Sequence, residues 1–461
     1  MQNIIAAIST PPGKGGVAII RVSGEGAHEL TSRIFRPASG RSLLDYPTRH
    51  AVYGYILHRG ERIDDGIVTL FERGASYTSE PVAEISCHGG MLISRTVLEA
   101  VLAAGATLAG AGEFTRRAFI NGRLTLTEAE AIGLLLEAKS EEQIRLTAAP
   151  ARDRLKKEIE GIRASLTALL GSIYARIDYP DEDLGDFSDE ETVSELTRVR
   201  AGISRLISTY RTGRAIAEGI SAVICGKPNV GKSTLYNLIS GEDAAIVTDI
   251  PGTTRDVLER SLPLGRVMLR LSDTAGIREG AGDDPVEKIG IEKSREKISS
   301  AELILALFDL SKPLDSDDRD IIEEIRGVRG AKICILTKAD RESVLDLTEL
   351  PDIFDATLKI SAKEEECEAL STLSDAINRL FTDEKISTST DAVVASARQH
   401  SALLRAEELI DTAILAYSAG LPQDAASSDI ELALGAIAEI DGRAVAESVT
   451  DDIFSRFCVG K

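Results

Sequence analysis

Long apolar runs are missing from this sequence. Eighteen consecutive apolar residues occur nowhere, so no membrane span is expected. The opening Met1-Gln2-Asn3-Ile4-Ile5 lacks a basic stretch followed by an apolar core, so no secretory signal is expected there. Cysteine is sparse: Cys87, Cys225, Cys334, Cys367 and Cys458 are scattered, and no CxxC pair occurs. Neither a zinc site nor a disulfide framework is indicated, and the expected compartment is the reducing cytoplasm. Positive charge is also in deficit, with 53 Lys and Arg against 74 Asp and Glu, a net charge of −21. That excludes a broad, non-specific nucleic-acid surface while leaving room for a local basic patch. No Lys or Arg lies between Arg176 and Arg198, where Asp178, Asp181, Glu182, Asp183, Asp186, Asp189, Glu190 and Glu191 crowd together. This run reads as a solvated acidic loop, the alternative being a docking surface for a basic partner.

What is present suits two to four globular domains: 461 residues, 43% hydrophobic and 28% charged. Residues 1–118 alternate short apolar runs with Gly-rich turns. Strands are expected at Val17–Val22, Gly66–Phe71 and Val82–Ser86, and a helix over Ser94–Ala104 that Gly105 ends, giving an α+β domain. From Thr125 the period changes to a helical one, opened by the capping-box pattern Thr125-Leu-Thr-Glu128. Leu155, Ile159, Ile162, Leu166, Leu169 and Leu170 continue it, and helical pattern returns at Leu403–Leu415 and Ile430–Ile440. Between these parts, residues 216–382 alternate strand and helix. Ile220–Cys225, Val267–Ser272, Leu303–Asp309 and Lys332–Thr337 are expected as strands of a mostly parallel sheet with helices on both faces. The fold class is therefore multidomain α/β: an α+β domain at 1–118, a helical bundle at 119–215 and 383–461, and an inserted P-loop, Ras-like domain at 216–382. The polar Thr382–Asp391 segment is the return linker.

The insertion carries the chemistry. Gly226-Lys-Pro-Asn229-Val230-Gly231-Lys232-Ser233 fits GxxxxGK[ST] between a strand and a helix, with Thr234 following. Glycines let main-chain N–H groups wrap phosphates that a Cβ would exclude. Lys232 reaches the β- and γ-phosphates, and the Ser233 hydroxyl suits Mg²⁺. Asp273-Thr274-Ala275-Gly276 follows a strand, where the aspartate holds Mg²⁺ through water and the glycine N–H senses the γ-phosphate. Thr337-Lys338-Ala339-Asp340 ends another, and Asp340 can accept both donors of the guanine N1–N2 edge. Ser361-Ala362-Lys363 fits the loop backing the base. GTP is therefore the expected nucleotide. Asparagine usually opens such a guanine loop. Thr337 replaces its amide with a hydroxyl, and the expected consequence is one tie fewer to the phosphate loop, with weaker nucleotide affinity. Ile277 stands after DTAG where many GTPases have a water-orienting glutamine.

The phosphate loop with Thr248-Asp249-Ile250-Pro251-Gly252-Thr253-Thr254-Arg-Asp256 resembles potassium-activated GTPases of the TrmE-Era-EngA type. Four further motifs narrow the resemblance: Thr10-Pro-Pro-Gly-Lys-Gly-Gly-Val17 with Arg21, Glu84-Ile-Ser-Cys-His-Gly-Gly90, Gly112-Glu-Phe-Thr-Arg-Arg-Ala-Phe119, and Phe457-Cys-Val-Gly-Lys461. Together these are similar to the MnmE (TrmE) family of tRNA-modification GTPases over nearly the whole chain. The resemblance implies a K⁺ site formed by Asn229, the carbonyls of Thr248 and Ile250, and Thr253. It implies Thr254 in the Mg²⁺ shell and Glu287 as the group orienting the attacking water. It also implies a folate-binding and dimerising N-terminal domain, with contacts at Arg21, Glu84, Arg123 and Lys461. Arg123 stands where lysine is the pattern, which keeps the charge and changes the geometry.

Further implied are a homodimer, an FAD-dependent partner, MnmG, in an α2β2 complex, and tRNA as substrate. The resemblance implies 5,10-methylenetetrahydrofolate as one-carbon source, with 5-formyltetrahydrofolate as its analogue. The product would be aminomethyl or carboxymethylaminomethyl at C5 of the wobble uridine, position 34. The alternative is a regulatory or ribosome-assembly GTPase of the Era or EngA type. Read without the resemblance, Arg21 and Glu84 are surface ion-pair residues, Glu287 is a helix-start carboxylate, and His88 is structural. Cys458 reads as a small buried hydrophobe, with a direct chemical role as the alternative.

Overall fold

The computed structural model describes residues 3–179, 188–240, 259–272, 296–361, 366–421 and 423–460. They form two compact units, residues 1–137 with 435–461 and residues 138–434.

The first unit is built on a seven-stranded sheet of β1 (Ile5–Ile8), β2 (Val17–Ser23), β3 (Phe35–Pro37), β4 (Val52–His58), β5 (Glu61–Phe71), β6 (Val82–His88) and β7 (Thr107–Leu108), ordered β3-β4-β5-β6-β2-β1-β7. Alternation along the strands gives the sheet two unlike faces. Ile20 and Val22 of β2, Ile85 of β6, Val68 of β5 and Ile56 of β4 are buried with Val97 and Val101 of the Met91–Ala103 helix. Arg21, Glu84 and Ser86 alternate with those positions on the opposite face, and Tyr53 and Ile67 there are 52% and 42% exposed. The end of the chain returns to this unit. Val459 pairs with Ala111, and Ser9 Oγ donates to Gly460 O at 3.0 Å. Phe454 packs against Phe119 and Phe457. The expected capping box forms at the Leu126–Glu137 helix: Glu128 N–H donates to Thr125 Oγ1, and Glu128 Oε2 accepts from Thr125 N–H at 2.7 Å.

The second unit joins long helices to an inserted sheet. Helices Ala149–Asp178 and Asp189–Ala217 form a hairpin, and Ala397–Ser418 packs along the latter. The acidic run is partly helical: Asp189, Glu190 and Glu191 fill a first turn that Ser188 and Glu191 close as a capping box, where the macrodipole favours negative charge. Gly219 turns the chain from the Asp189–Ala217 helix into the sheet; a Cβ there would meet Met268 O at 2.8 Å.

The inserted sheet contains β8 (Ile220–Cys225), β9 (Glu259–Leu264), β10 (Val267–Ser272), β11 (Leu303–Asp309), β12 (Ala331–Thr337) and β13 (Ala356–Ile360), ordered β13-β12-β11-β8-β10-β9. All pairings are parallel except β9 with β10. Apolar clusters cover both faces, one with the Lys232–Ser240 and Glu366–Phe381 helices, the other with Ser316–Arg326. The return segment is clasped beside the start of the insertion. Asp383 N–H donates to Thr212 Oγ1 at 2.9 Å, Val394 N–H donates to Thr209 Oγ1 at 3.0 Å, and Arg154 donates to the carbonyls of Asp391 and Thr388.

Candidate nucleotide site

The ends of β8, β11, β12 and β13 gather Gly226, Asp309, Thr337 and Ser361 at one edge of the parallel sheet. In open α/β folds, ligands bind outside the carboxyl ends of the strands. Gly226 leaves β8 in so tight a turn that a Cβ would lie 2.7 Å from Val230 Cγ1. Asn229 takes the left-handed conformation with φ 61°, which asparagine tolerates better than most residues. The loop ends at the Lys232–Ser240 helix, and a helix N-terminus favours an anion. Lys232 Nζ donates to Gly226 O at 2.8 Å and Lys227 O at 2.9 Å, so the ammonium lies over its own loop. Asn229, Ser233 and Thr234 are exposed beside it, while Val230 is buried.

Thr337 corrects the expectation of a lost tie. Its Oγ1 donates to Val230 O of the phosphate loop at 2.7 Å, with Phe308 O a longer 3.2 Å away. Threonine is shorter than asparagine, but β12 ends close enough to the phosphate loop for a hydroxyl to span the gap. The inference of weakened affinity, which assumed that the amide could not be replaced, loses its basis. Lys338 has φ 58°, and its ammonium meets Asp309 Oδ2 at 2.6 Å. Burial pushes the Asp309 carboxyl up, but the bonds from Lys338 and Ser311 outweigh it and hold the pKa below its ordinary value. Asp340 is exposed at the same loop, and Ser361 is buried at the end of β13.

Thr248, Asp249, Ile250, Pro251, Gly252, Thr253, Thr254, Asp273, Thr274, Ala275, Gly276, Glu287, Ala362, Lys363 and Lys461 lie outside the described residues.

In the first unit, Arg21 and Glu84 are cross-strand partners. Arg21 Nη2 and Nε lie 2.9 and 3.0 Å from Glu84 Oε1, and the guanidinium sits 5.1 Å from the Tyr77 ring centroid and 5.6 Å from that of Phe114. Arg123 is exposed after the Glu113–Ile120 helix. Arg117, buried in the same motif as Phe114, bonds Glu80 at 3.1 Å and Glu113 at 2.9 Å. This network was not anticipated from the sequence, since a lone arginine ordinarily reads as exposed. A cleft of about 660 Å³ lies in this unit, lined by Ile8, Pro11, Lys14, Arg95, Leu98 and Val459 among others. Cys458 is exposed, which corrects its reading as a buried hydrophobe; it sits on the returning end of the chain. Burial, with Asp64 adding to it, pushes the Cys87 thiol up to about 11, and burial pushes Cys334 up to about 12, so both are inert at neutral pH.

A GxxxxGK[ST] loop between a strand and a helix, at the carboxyl edge of a mostly parallel sheet, defines the insertion as a P-loop nucleotide-binding domain. The flanking regions narrow this further. Residues 126–458 match the model of the MnmE helical domain, and residues 4–123 match that of the GTP-binding protein TrmE N-terminus. Curated relatives named tRNA modification GTPase MnmE align from end to end. The Acetivibrio thermocellus protein is 37% identical, covering 100% of this chain and 99% of its own length. That of Thermotoga petrophila is 38% identical, covering 100% of both, and that of Heliobacterium modesticaldum is 39% identical, covering 99% of both. The chain belongs to the MnmE family of tRNA modification GTPases. A solved structure of Era from Aquifex aeolicus matches 41% of this chain and 66% of its own at 19% identity and a TM-score of 0.26, too low to carry an argument. No helix among the described residues is long and apolar enough to cross a membrane.

Proposed function

We propose that this chain is a K⁺-activated GTP hydrolase that acts in tRNA modification. Family membership over the full length carries this reading. The arrangement of the described nucleotide loops supports it, because the turn at Gly226 packs so closely on Val230 and Leu307 that a Cβ there would collide with both. Gly226, Asn229, Gly231, Lys232 and Ser233 would hold the phosphates. Asp340 would accept the guanine edge, with Ser361, Ala362 and Lys363 behind the base. Ser233 and Thr254 suit Mg²⁺; Asn229, Thr248, Ile250 and Thr253 suit K⁺. When bound, the two cations would offset the negative charge that gathers on the transferring phosphoryl group. Glu287 would orient the attacking water. The chain is read as four segments, 1–118, 119–215, 216–382 and 383–461, working in the cytoplasm.

The first unit would bind the tetrahydrofolate that supplies the one-carbon group, through Arg21, Glu84, Arg123 and Lys461. The residues present suit such a ligand: a carboxylate matches the donor edge of a pterin, and the half-buried Tyr77 ring lies beside the Arg21 guanidinium. The uncovered sheet face with Tyr53 and Ile67 suits pairing of two copies, which would work with the FAD-dependent MnmG on C5 of the wobble uridine.

Hydrolysis measured in KCl and in NaCl tests the nucleotide reading; equal rates would remove the potassium site. Calorimetry with 5-formyltetrahydrofolate tests the first unit, where Arg21→Met should weaken binding by roughly tenfold or more. Wobble uridines unchanged at C5 in a deletion strain would eliminate the tRNA role.

A further inference from the structure

Asp309–Asp318 connects β11 to the Ser316–Arg326 helix and contains none of the nucleotide-binding motifs, yet both nucleotide loops are tied to it. The guanine loop is held from one end, where Lys338 meets Asp309 and Leu310 N–H donates to Thr337 O at 3.0 Å. The phosphate loop is held from the other. Lys227 Nζ donates to Asp315 Oδ2 at 2.7 Å and to Asp318 Oδ2 at 2.6 Å. Lys227 is only 9% exposed and Asp318 only 2%. Sequence separations of 88 and 91 residues make these long-range ties, not features of one turn.

The two carboxylates are positioned independently of Lys227. Asp315 caps the helix by accepting from Asp318 N–H at 3.1 Å, and Asp318 accepts from Asp315 N–H at 3.3 Å. The helix therefore needs no lysine to be capped. Lys227, by contrast, uses its whole side chain on this pair, while its carbonyl accepts a bond from Lys232. Burial works against the ammonium, but Asp315 and Asp318 outweigh it and raise the Lys227 pKa. The bond from Lys227 leads the causes that hold the Asp315 carboxyl at about 2. Removing one member of such a set leaves uncompensated charge in a largely buried place.

We propose that Lys227 is a positioning residue of the nucleotide site, fixing the phosphate loop at a set spacing from the guanine loop through the Asp309–Asp318 connection. This rests on the guanine-nucleotide reading above. A nucleotide spans both loops, so an error in their spacing weakens GDP and GTP alike, whereas an error at the γ-phosphate alone weakens only GTP.

The test measures dissociation constants for fluorescent GDP and GTP analogues, steady-state hydrolysis and thermal unfolding of the full chain. Lys227→Met should raise Kd for both nucleotides, and the KM for GTP with it, by roughly tenfold or more. Lys227→Arg, which can still bond both carboxylates, should restore affinity. Asp318→Asn keeps the volume and should weaken binding by itself, and its effect combined with Lys227→Met should fall well short of additive. Wild-type Kd values in a folded Lys227→Met chain would overturn the proposal. So would a lowered melting temperature with unchanged Kd, a loss that Lys227→Arg does not rescue, or additive effects. If Lys227→Met does not fold, Asp318→Asn and Lys227→Arg decide by the same criteria. A wild-type chain that binds no guanine nucleotide would instead sink the reading of the site itself.

Discussion

The Thr337 hydroxyl donates to the backbone carbonyl of Val230, 107 residues away, and so joins the loop after β12 to the Gly226–Ser233 loop at 2.7 Å. Both residues are buried, and a carbonyl there that lost its donor would have little access to water. Thr337→Val keeps the shape and removes the proton. It should weaken guanine-nucleotide binding by roughly tenfold, in line with about 1–3 kcal/mol for an unpaired buried acceptor. Thr337→Ser should bind like the wild type. Titration with a fluorescent GDP analogue checks both.

Lys338 and Asp309 make a paired charge on the same side of the sheet, with the aspartate side chain 2% exposed and the lysine 26%. Lys338→Met should destabilise the inserted domain by roughly 3 kcal/mol, because it leaves a buried carboxylate without its partner. The pH dependence follows from the lowered pKa of Asp309, whose ordinary value is 3.8. Below 3.8 the unfolded chain binds the proton more tightly than the folded one. The stabilisation is therefore fully present above that pH and is lost as pH falls through the depressed folded value. Denaturant melts carried down from pH 6 should show wild type beginning to lose this contribution only below 3.8, with Asp309→Asn lacking it throughout.

Gly213, on the last turns of the Asp189–Ala217 helix, lies directly under the return segment. A Cβ there would fall 2.1 Å from Val394 O and 2.8 Å from Val393 Cγ1. Gly213→Ala would normally favour a helix, yet here it should cost about 1–3 kcal/mol through overpacking. Thermal unfolding checks the sign.

His88 Nδ1 lies 2.7 Å from Asp64 Oδ1, and its backbone N–H donates to Asp64 Oδ2 at 3.0 Å. The bond to Asp64 leads the causes that raise the imidazole pKa above 6.5. An NMR titration should find His88 protonated to a higher pH than a free histidine, and Asp64→Asn should return it toward the ordinary value. An unchanged titration in Asp64→Asn would contradict the pairing.

Glu287→Ala should slow GTP turnover by roughly 10²–10⁴-fold while leaving nucleotide affinity near normal, as expected for a group that orients water. Single-turnover hydrolysis with a parallel binding titration checks it; wild-type turnover would remove Glu287 from the catalytic groups.

Much of the architecture was legible because it is local. Ile220–Cys225, Val267–Ser272 and Leu303–Asp309 form strands at the expected bounds, since short, mostly apolar runs between turns leave few other conformations. The capping box at Thr125 needs only four consecutive residues. The edge strands β9 and β13 were not anticipated: Arg260 and Pro263 interrupt one, and exposed Thr357 and Lys359 the other, leaving too little apolar pattern to mark a strand. The role of Lys227 was hidden in a variable position of its motif, although Asp315-x-x-Asp318 before an amphipathic helix was a readable cap.

By itself the sequence determined the phosphate loop, the order of strand and helix around it, and the family of the whole chain, because each depends on residues adjacent along the backbone or on motifs read in order. Only tertiary structure decided that the Thr337 hydroxyl would reach the carbonyl of Val230, that Lys227 would pair with a capping box 88 residues on, and that Gly460 would lie against Ser9. Those contacts depend on which strands become neighbours in the sheets, an arrangement set by packing of the whole chain and carried by no single segment of it.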